Sequence, residues 1–227
     1  MATKKTKSLP PFLTTLATTI AVSIGIFVIR SIWSNDFYFA FLLWNLFLAL
    51  IPLGISQTLK LRNIPLQSKT AVLLLVLWLL FFPNAPYLIT DLFHLFERGG
   101  VPPWLDLFLL FSFAWNGLCS TYLSLRDIEQ WLGTRLTKEQ TRSLRISLLV
   151  LTSFGLYLGR YLRFNSWDAL TQPLSIVQNV FSAFSTPSNF ADLIIFTIVS
   201  TILLLTSIDF LEKISSEKKP ARRRNTV

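Results

Sequence analysis

Long apolar runs separated by short polar segments dominate the chain: Phe12 to Ile29, Phe37 to Leu59, Thr70 to Thr90, Leu107 to Leu125, Ile146 to Leu162 and Leu193 to Ile208. Each approaches or exceeds the ~18 residues that read as a bilayer span, because a helix must cross roughly 30 Å of hydrocarbon. The pattern predicts an all-α fold, a polytopic transmembrane helical bundle of six spans. Residues 1–11 then form a basic N-terminus, 12–212 the transmembrane domain, and 213–227 a basic, disordered tail. The basic start followed by an apolar run also fits a cleaved signal peptide, with Ala21 and Ser23 as a poor cleavage site.

Two segments depart from simple spans. In the third, the residues from Thr70 to Phe82 cover only about 20 Å before Pro83-Asn84-Ala85-Pro86, so the prolines fall inside the hydrocarbon. Each proline removes a donor and biases the residue before it away from helical angles, which predicts a broken span. The break is read either as a cavity built around Asn84 or as a proline kink satisfied by neighbouring helices. After the fifth span, Trp167, Leu170, Leu174, Val177, Phe181 and Phe184 recur at steps of three and four. That stripe predicts an amphipathic helix lying in the membrane surface.

Composition supports lipid as the solvent: mean hydropathy is +0.53 and only 15% of residues are charged. The net charge of +9 would raise the question of nucleic acid in a soluble chain. Here the basic residues sit between apolar runs, so membrane lipids rather than nucleic acid are the expected partners. Alternate segments hold 17 Lys and Arg against 4. The positive-inside rule places the richer set in the cytoplasm, which predicts both termini inside and the surface helix outside. Thr137 and Gln140 stand at capping-box spacing, where the fifth helix is expected to start.

Candidate chemistry gathers at the predicted outer face. Tyr87, Asp91, His94 and Arg98 recur at steps of four, three and four, which predicts one polar stripe on a helix from Pro86 to Arg98. Asp91 one turn before His94 suits a carboxylate orienting an imidazole for acid–base work, and equally an ordinary surface pair. His94 is the only histidine and Cys119 the only cysteine, which leaves no disulfide framework, no two-imidazole metal site and no identifiable cofactor. Arg160 and Arg163, one turn apart, form either a clamp for a phosphate or carboxylate or a pair of headgroup anchors. Asn165 is expected to cap the next helix and Asp168 to sit favourably in its first turn, with Asp168 a further ligand-binding candidate. Asn45, Gln57 and Asn116 are expected to bond between helices, and Gly155 and Gly159 to permit close helix packing.

Four blocks carry a resemblance: Trp44 to Ala49; Phe82 to Tyr87 running into Thr90-Asp91-Leu92 and His94; Ser112 to Gly117; and Gly159-Arg160 followed by Arg163 and Asn165 to Asp168. In these the chain resembles an uncharacterised bacterial multi-pass membrane family, domain of unknown function 1361. The resemblance implies a protein of the bacterial inner membrane and supplies no activity. The expected function is an outward-facing polar pocket of Asn84, Tyr87, Asp91, His94, Arg160, Arg163 and Asp168 that binds an anionic lipid, envelope precursor or small molecule. Asp91 and His94 are the candidate catalytic pair. A small-solute carrier gated at Pro83–Pro86 and a structural assembly factor are the competing readings.

Overall fold

The computed structural model describes residues 11–185 and 187–217, the side chains of 11, 134, 169, 170 and 182–185 excepted. The basic N-terminus through residue 10, the tail from 218, and the side chains of Leu170 and Phe184 lie outside the described residues. Helices and short 3-10 turns make up the fold. They are α1 (Pro11–Ser34), α2 (Phe41–Leu61), α3 (Lys69–Phe81), α4 (Asn84–Thr90), α5 (Pro103–Leu132), α6 (Lys138–Tyr161), α7 (Asp168–Thr171), α8 (Pro173–Ser185) and α9 (Pro187–Glu217). The protein is an all-α polytopic bundle.

Five segments are long and apolar enough to cross a membrane: Phe12–Ser34, Tyr38–Leu61, Lys69–His94, Pro103–Leu132 and Pro187–Glu217. The sixth expected span lies within α6, a 24-residue helix. Its first turns are polar and its end carries Arg160, which shortens its apolar stretch. The Thr137 hydroxyl accepts from the Gln140 amide while the Gln140 side chain accepts from the Thr137 amide, so the capping box starts the helix where its spacing indicated. α9 runs on to Glu217, so residues 213–217 of the expected tail are helical.

α5 is the central helix. In its most apolar window 67% of residues are buried, against 17% in α1 and in α9. The outward faces of α1 and α9 present Ile32, Ile195, Ile202 and Phe210 unpaired with protein, as lipid-facing surfaces do. Inside, amides and hydroxyls join helices: Thr19 donates to Asn116 Oδ1 at 2.6 Å, and Asn116 Nδ2 donates to Ser23 Oγ at 2.8 Å, fastening α1 to α5. Trp78 Nε1 donates to Ser124 at 2.8 Å, tying α3 to α5.

The third span is kinked rather than unwound. Phe82 keeps helical angles of −56° and −39°, and Pro83 follows at −61° and −23°. The backbone stays bonded, Phe82 N to Trp78 O at 2.8 Å and Tyr87 N to Pro83 O at 3.1 Å, so the prolines form a kink, and Asn84 at that kink also lines a cavity. Packing enforces it. α4 lies against α5 at Gly117, where an added Cβ would collide with the Ala85 carbonyl oxygen and stand 2.9 Å from Leu88 Cβ. Because a backbone carbonyl cannot step aside, Gly117→Ala is expected to destabilise the fold by about 1–3 kcal/mol. Gly54→Ala, whose Cβ would meet nothing within 4 Å, is the control, expected to cost nothing or to stabilise α2 by up to about 1 kcal/mol. Thermal unfolding in detergent compares the two.

Gly155 and Gly159 of α6 also pack within the chain. A Cβ at Gly155 would come 3.3 Å from Pro83 Cγ, and one at Gly159 would come 3.0 Å from Tyr87 Cε2. These glycines thus seat α6 on the kink.

Candidate functional site

Chain direction divides the polar residues between two ends of the bundle. At the basic end, Asp127 of α5 accepts from Gln57 Nε2 and from Lys60 Nζ of α2. Arg145 of α6 grips Glu129 with two bonds of 2.8 Å and reaches Asp209 at 3.1 Å and Glu212 at 2.7 Å on α9. One guanidinium therefore staples α5, α6 and α9 together.

The opposite end holds the sequence-derived candidates. α2, α3, the kink, α6 and the loop after α6 line a half-open cavity of about 870 Å³. Towards the middle of the bundle its lining is apolar, with Leu48, Val76, Leu80, Leu151 and Phe154, of which Val76 and Leu151 are exposed at the surface of the fold. Its mouth is polar, with Asn84, His94, Glu97, Arg160, Arg163 and Asn165.

A continuous chain of contacts crosses this end. Arg30 Nη1 lies 3.6 Å from Asp36 Oδ2, and Asp36 Oδ1 accepts from the Tyr38 amide at 2.9 Å. Tyr38 Oη donates to Glu97 Oε2 at 2.5 Å, and the same oxygen meets His94 Nδ1 at 2.7 Å. His94 Nε2 meets Arg160 Nη1 at 3.0 Å, and Arg160 Nη1 lies 3.7 Å from Asp91 Oδ1. Asp91 Oδ2 accepts from Asn45 Nδ2 at 2.9 Å. Guanidinium groups only donate, so Nε2 accepts and the imidazole proton sits on Nδ1, pointed at Glu97.

His94 is therefore oriented by Glu97, not by Asp91, which corrects the expected pair. The cause is local. After α4 the chain tightens into a 3-10 turn, Asp91–His94, and Leu95 becomes extended with ψ 131°. Phe96 then takes φ +74°, which folds the Glu97 carboxylate back onto the imidazole. The predicted helical stripe ends there, and Arg98 leaves it to sit over the Tyr38 ring at 4.3 Å. Hydrogen bonds from His94, first, and from Tyr38 hold the Glu97 carboxyl below the usual glutamate range. With its folded value depressed, the contact's stabilising effect is present above the ordinary glutamate titration and is lost as pH falls through the lowered one.

The other candidates divide. Asn84 lines the cavity and its two amide hydrogens go to Phe81 O at 2.9 Å and Ser166 Oγ at 2.7 Å, so it ties the kink to the loop after α6. Tyr87 and Arg163 also line the cavity. Arg163 is exposed and adopts φ +59°, a conformation that costs a side-chain-bearing residue roughly 1–2 kcal/mol. Asp168 is not among the cavity-lining residues: its Oδ2 accepts from the Asn165 amide at 2.6 Å, closing the turn before α7. Asn165 is not the cap that its position suggested: Trp167 holds the N-cap position of α7 and makes no side-chain cap bond. Along α8, Leu174, Val177 and Phe181 are exposed, and Ile176 reaches the cavity.

Glu97 is visible in the sequence only as a residue three positions after His94, a spacing that the choice of Arg98 for the stripe passed over. Arg30 and Asp106 are the other surprise. The Arg30 side chain is fully buried, its Nε donating to Asp106 Oδ1 at 3.0 Å. Their signal was topological: opposite charges near the end of α1 and in the first turn of α5, which lie at the same end of the bundle.

No curated protein and no solved structure matches the chain. The family match begins at Trp44, so it takes in Asn45, Asn84, Asp91, His94, Glu97, Arg160 and Arg163 but leaves out Arg30 and Tyr38. A family model described as "Protein of unknown function (DUF1361)" matches residues 44–206, and the chain belongs to that family.

Proposed function

We propose that this protein binds an anionic amphiphile, a membrane lipid or an envelope precursor, in the cavity at the end of the bundle opposite its basic loops. The carrying observation is the pairing of two guanidiniums, Arg160 and Arg163, with an apolar shaft in one cavity. Arginine matches phosphate and carboxylate with paired donors, and the shaft takes a hydrocarbon chain. The excess of basic residues in alternate loops supports an outward-facing cavity in a bacterial cytoplasmic membrane. The strain at Arg163 supports the same reading, since a side chain held in an unfavourable backbone conformation is retained for what it touches. An assembly factor using Gly155 and Gly159 to hold partners is less favoured, because those glycines already face Pro83 and Tyr87.

Titration of the detergent-purified chain with dodecyl phosphate, inorganic phosphate and dodecanol tests the reading. Dodecyl phosphate binds at least tenfold more tightly than either, since each of the others lacks half of the complement. Equal binding of inorganic phosphate would mean a free-anion site instead. Arg163→Gly weakens dodecyl phosphate about tenfold by removing a charged contact. The same change raises stability by about 1 kcal/mol, because glycine adopts the positive φ without strain. A variant that binds normally would remove Arg163 from the site.

A further inference from the structure

We propose that the bound amphiphile is a phosphate ester and that His94 is the general base that activates water against it, positioned by Glu97 and masked by Arg160 until an anion arrives. This rests on the amphiphile-binding reading and adds a reaction to it. Three observations lead there. First, the two ring nitrogens have separate jobs: Nδ1–H is committed to Glu97 at 2.7 Å, and the basic Nε2 meets Arg160 at 3.0 Å on a cavity that both residues line. A carboxylate behind one nitrogen fixes the tautomer and leaves the other to take a proton. Second, Glu97 is itself fixed, by Tyr38 Oη at 2.5 Å, and the imidazole ring stands 4.8 Å from the Phe41 ring. Third, the group covering Nε2 belongs to one of the two guanidiniums that line the cavity. A phosphate drawing Arg160 towards itself frees Nε2 in the same movement, so the base is exposed when substrate is present.

The step balances without a redox partner. His94 Nε2 takes a proton from water, and the water oxygen forms a bond to phosphorus. The ester P–O bond breaks, and the departing alcohol oxygen takes the proton back from Nε2. Arg160 and Arg163 hold the non-bridging oxygens as negative charge builds on them. His94 is then a catalytic residue and Glu97 a positioning residue.

The test uses dodecyl 4-nitrophenyl phosphate with the full chain in dodecyl maltoside, reading nitrophenolate release. His94→Gln is expected to lower kcat by about 100-fold, the usual scale of a general base, while dodecyl phosphate still binds. Glu97→Gln lowers kcat about tenfold with KM unchanged, a loss confined to the transition state. Because His94 is the only histidine, the ¹⁵N spectrum of histidine-labelled protein reports it alone. The native chain shows the Nδ1–H tautomer, Glu97→Gln loses that preference, and dodecyl phosphate shifts the Nε2 signal. Release equal in native protein and His94→Gln overturns the base, and an unmoved Nε2 signal overturns the masking. Dodecyl phosphate binding without turnover overturns the reaction but leaves the binding reading intact, whereas absence of both removes the reading itself.

Discussion

Asp106→Ala lowers the stability of the bundle by about 3–5 kcal/mol, the scale on which removing one member of a buried ion pair acts. Arg30 explains the size. Its side chain has no solvent exposure, its Nε donates to Asp106 Oδ1 at 3.0 Å, and its Nη2 has no partner among the described residues. The remaining support is thin: Ser34 Oγ at 3.1 Å, the Asp36 carbonyl at 3.5 Å, Asp36 Oδ2 at 3.6 Å and the face of Phe39 at 4.7 Å. Without Asp106 a full charge stays in an apolar surround with no buried counter-ion. Arg30→Met combined with Asp106→Leu removes both charges and recovers most of the loss, since an apolar pair avoids the desolvation cost that the ion pair carries. Denaturant unfolding of the single and double variants measures this. An Asp106→Ala protein as stable as the native one would mean that water reaches Arg30.

Arg160→Ala is expected to weaken dodecyl phosphate binding about 50-fold, from the loss of charged hydrogen bonds. Arg160 is the junction of the site, touching His94 at 3.0 Å and Asp91 at 3.7 Å and lying 5.0 Å over Phe93. Truncation also strips Asp91 of its cation, although Asn45 still donates to it at 2.9 Å, so a stability loss accompanies the binding loss. Arg160→Lys separates the two. Lysine keeps the charge but lacks the planar fork, so the variant folds while binding falls about tenfold. Titration calorimetry beside thermal unfolding distinguishes the effects. If Arg160→Lys binds normally, charge alone suffices and the two-pronged contact is wrong.

The sequence carried those parts of the fold that depend on local pattern. Apolar length marked five of the six expected spans, Thr137 and Gln140 marked the start of α6, and Leu174, Val177 and Phe181 of the expected stripe fell on α8, although the chain breaks at Gln172 before it. The kink was half legible. Two prolines in four residues announced a disturbance, but whether it would unwind depended on Gly117 and Gly155 offering surfaces close enough to hold the chain in helical angles. The site was legible as a set of residues gathered at one end, because alternating spans force Asp91, His94 and Arg160 to one side. Its pairing was not. The positive φ at Phe96 makes Glu97 the partner of His94, and nothing in helical spacing encodes it. Arg30 and Asp106 lie 76 residues apart, and their contact follows only from the packing of α1 on α5.

An anionic amphiphile is expected to occupy the cavity beneath Arg160 and Arg163. Organic-solvent extraction of native and Arg160→Ala protein, each purified in dodecyl maltoside and followed by mass spectrometry, addresses it directly. A phosphorus-containing lipid retained by the native chain in near-equal molar amount and lost from the variant is the expected result. The same anionic lipids in the same amounts from both proteins would contradict it.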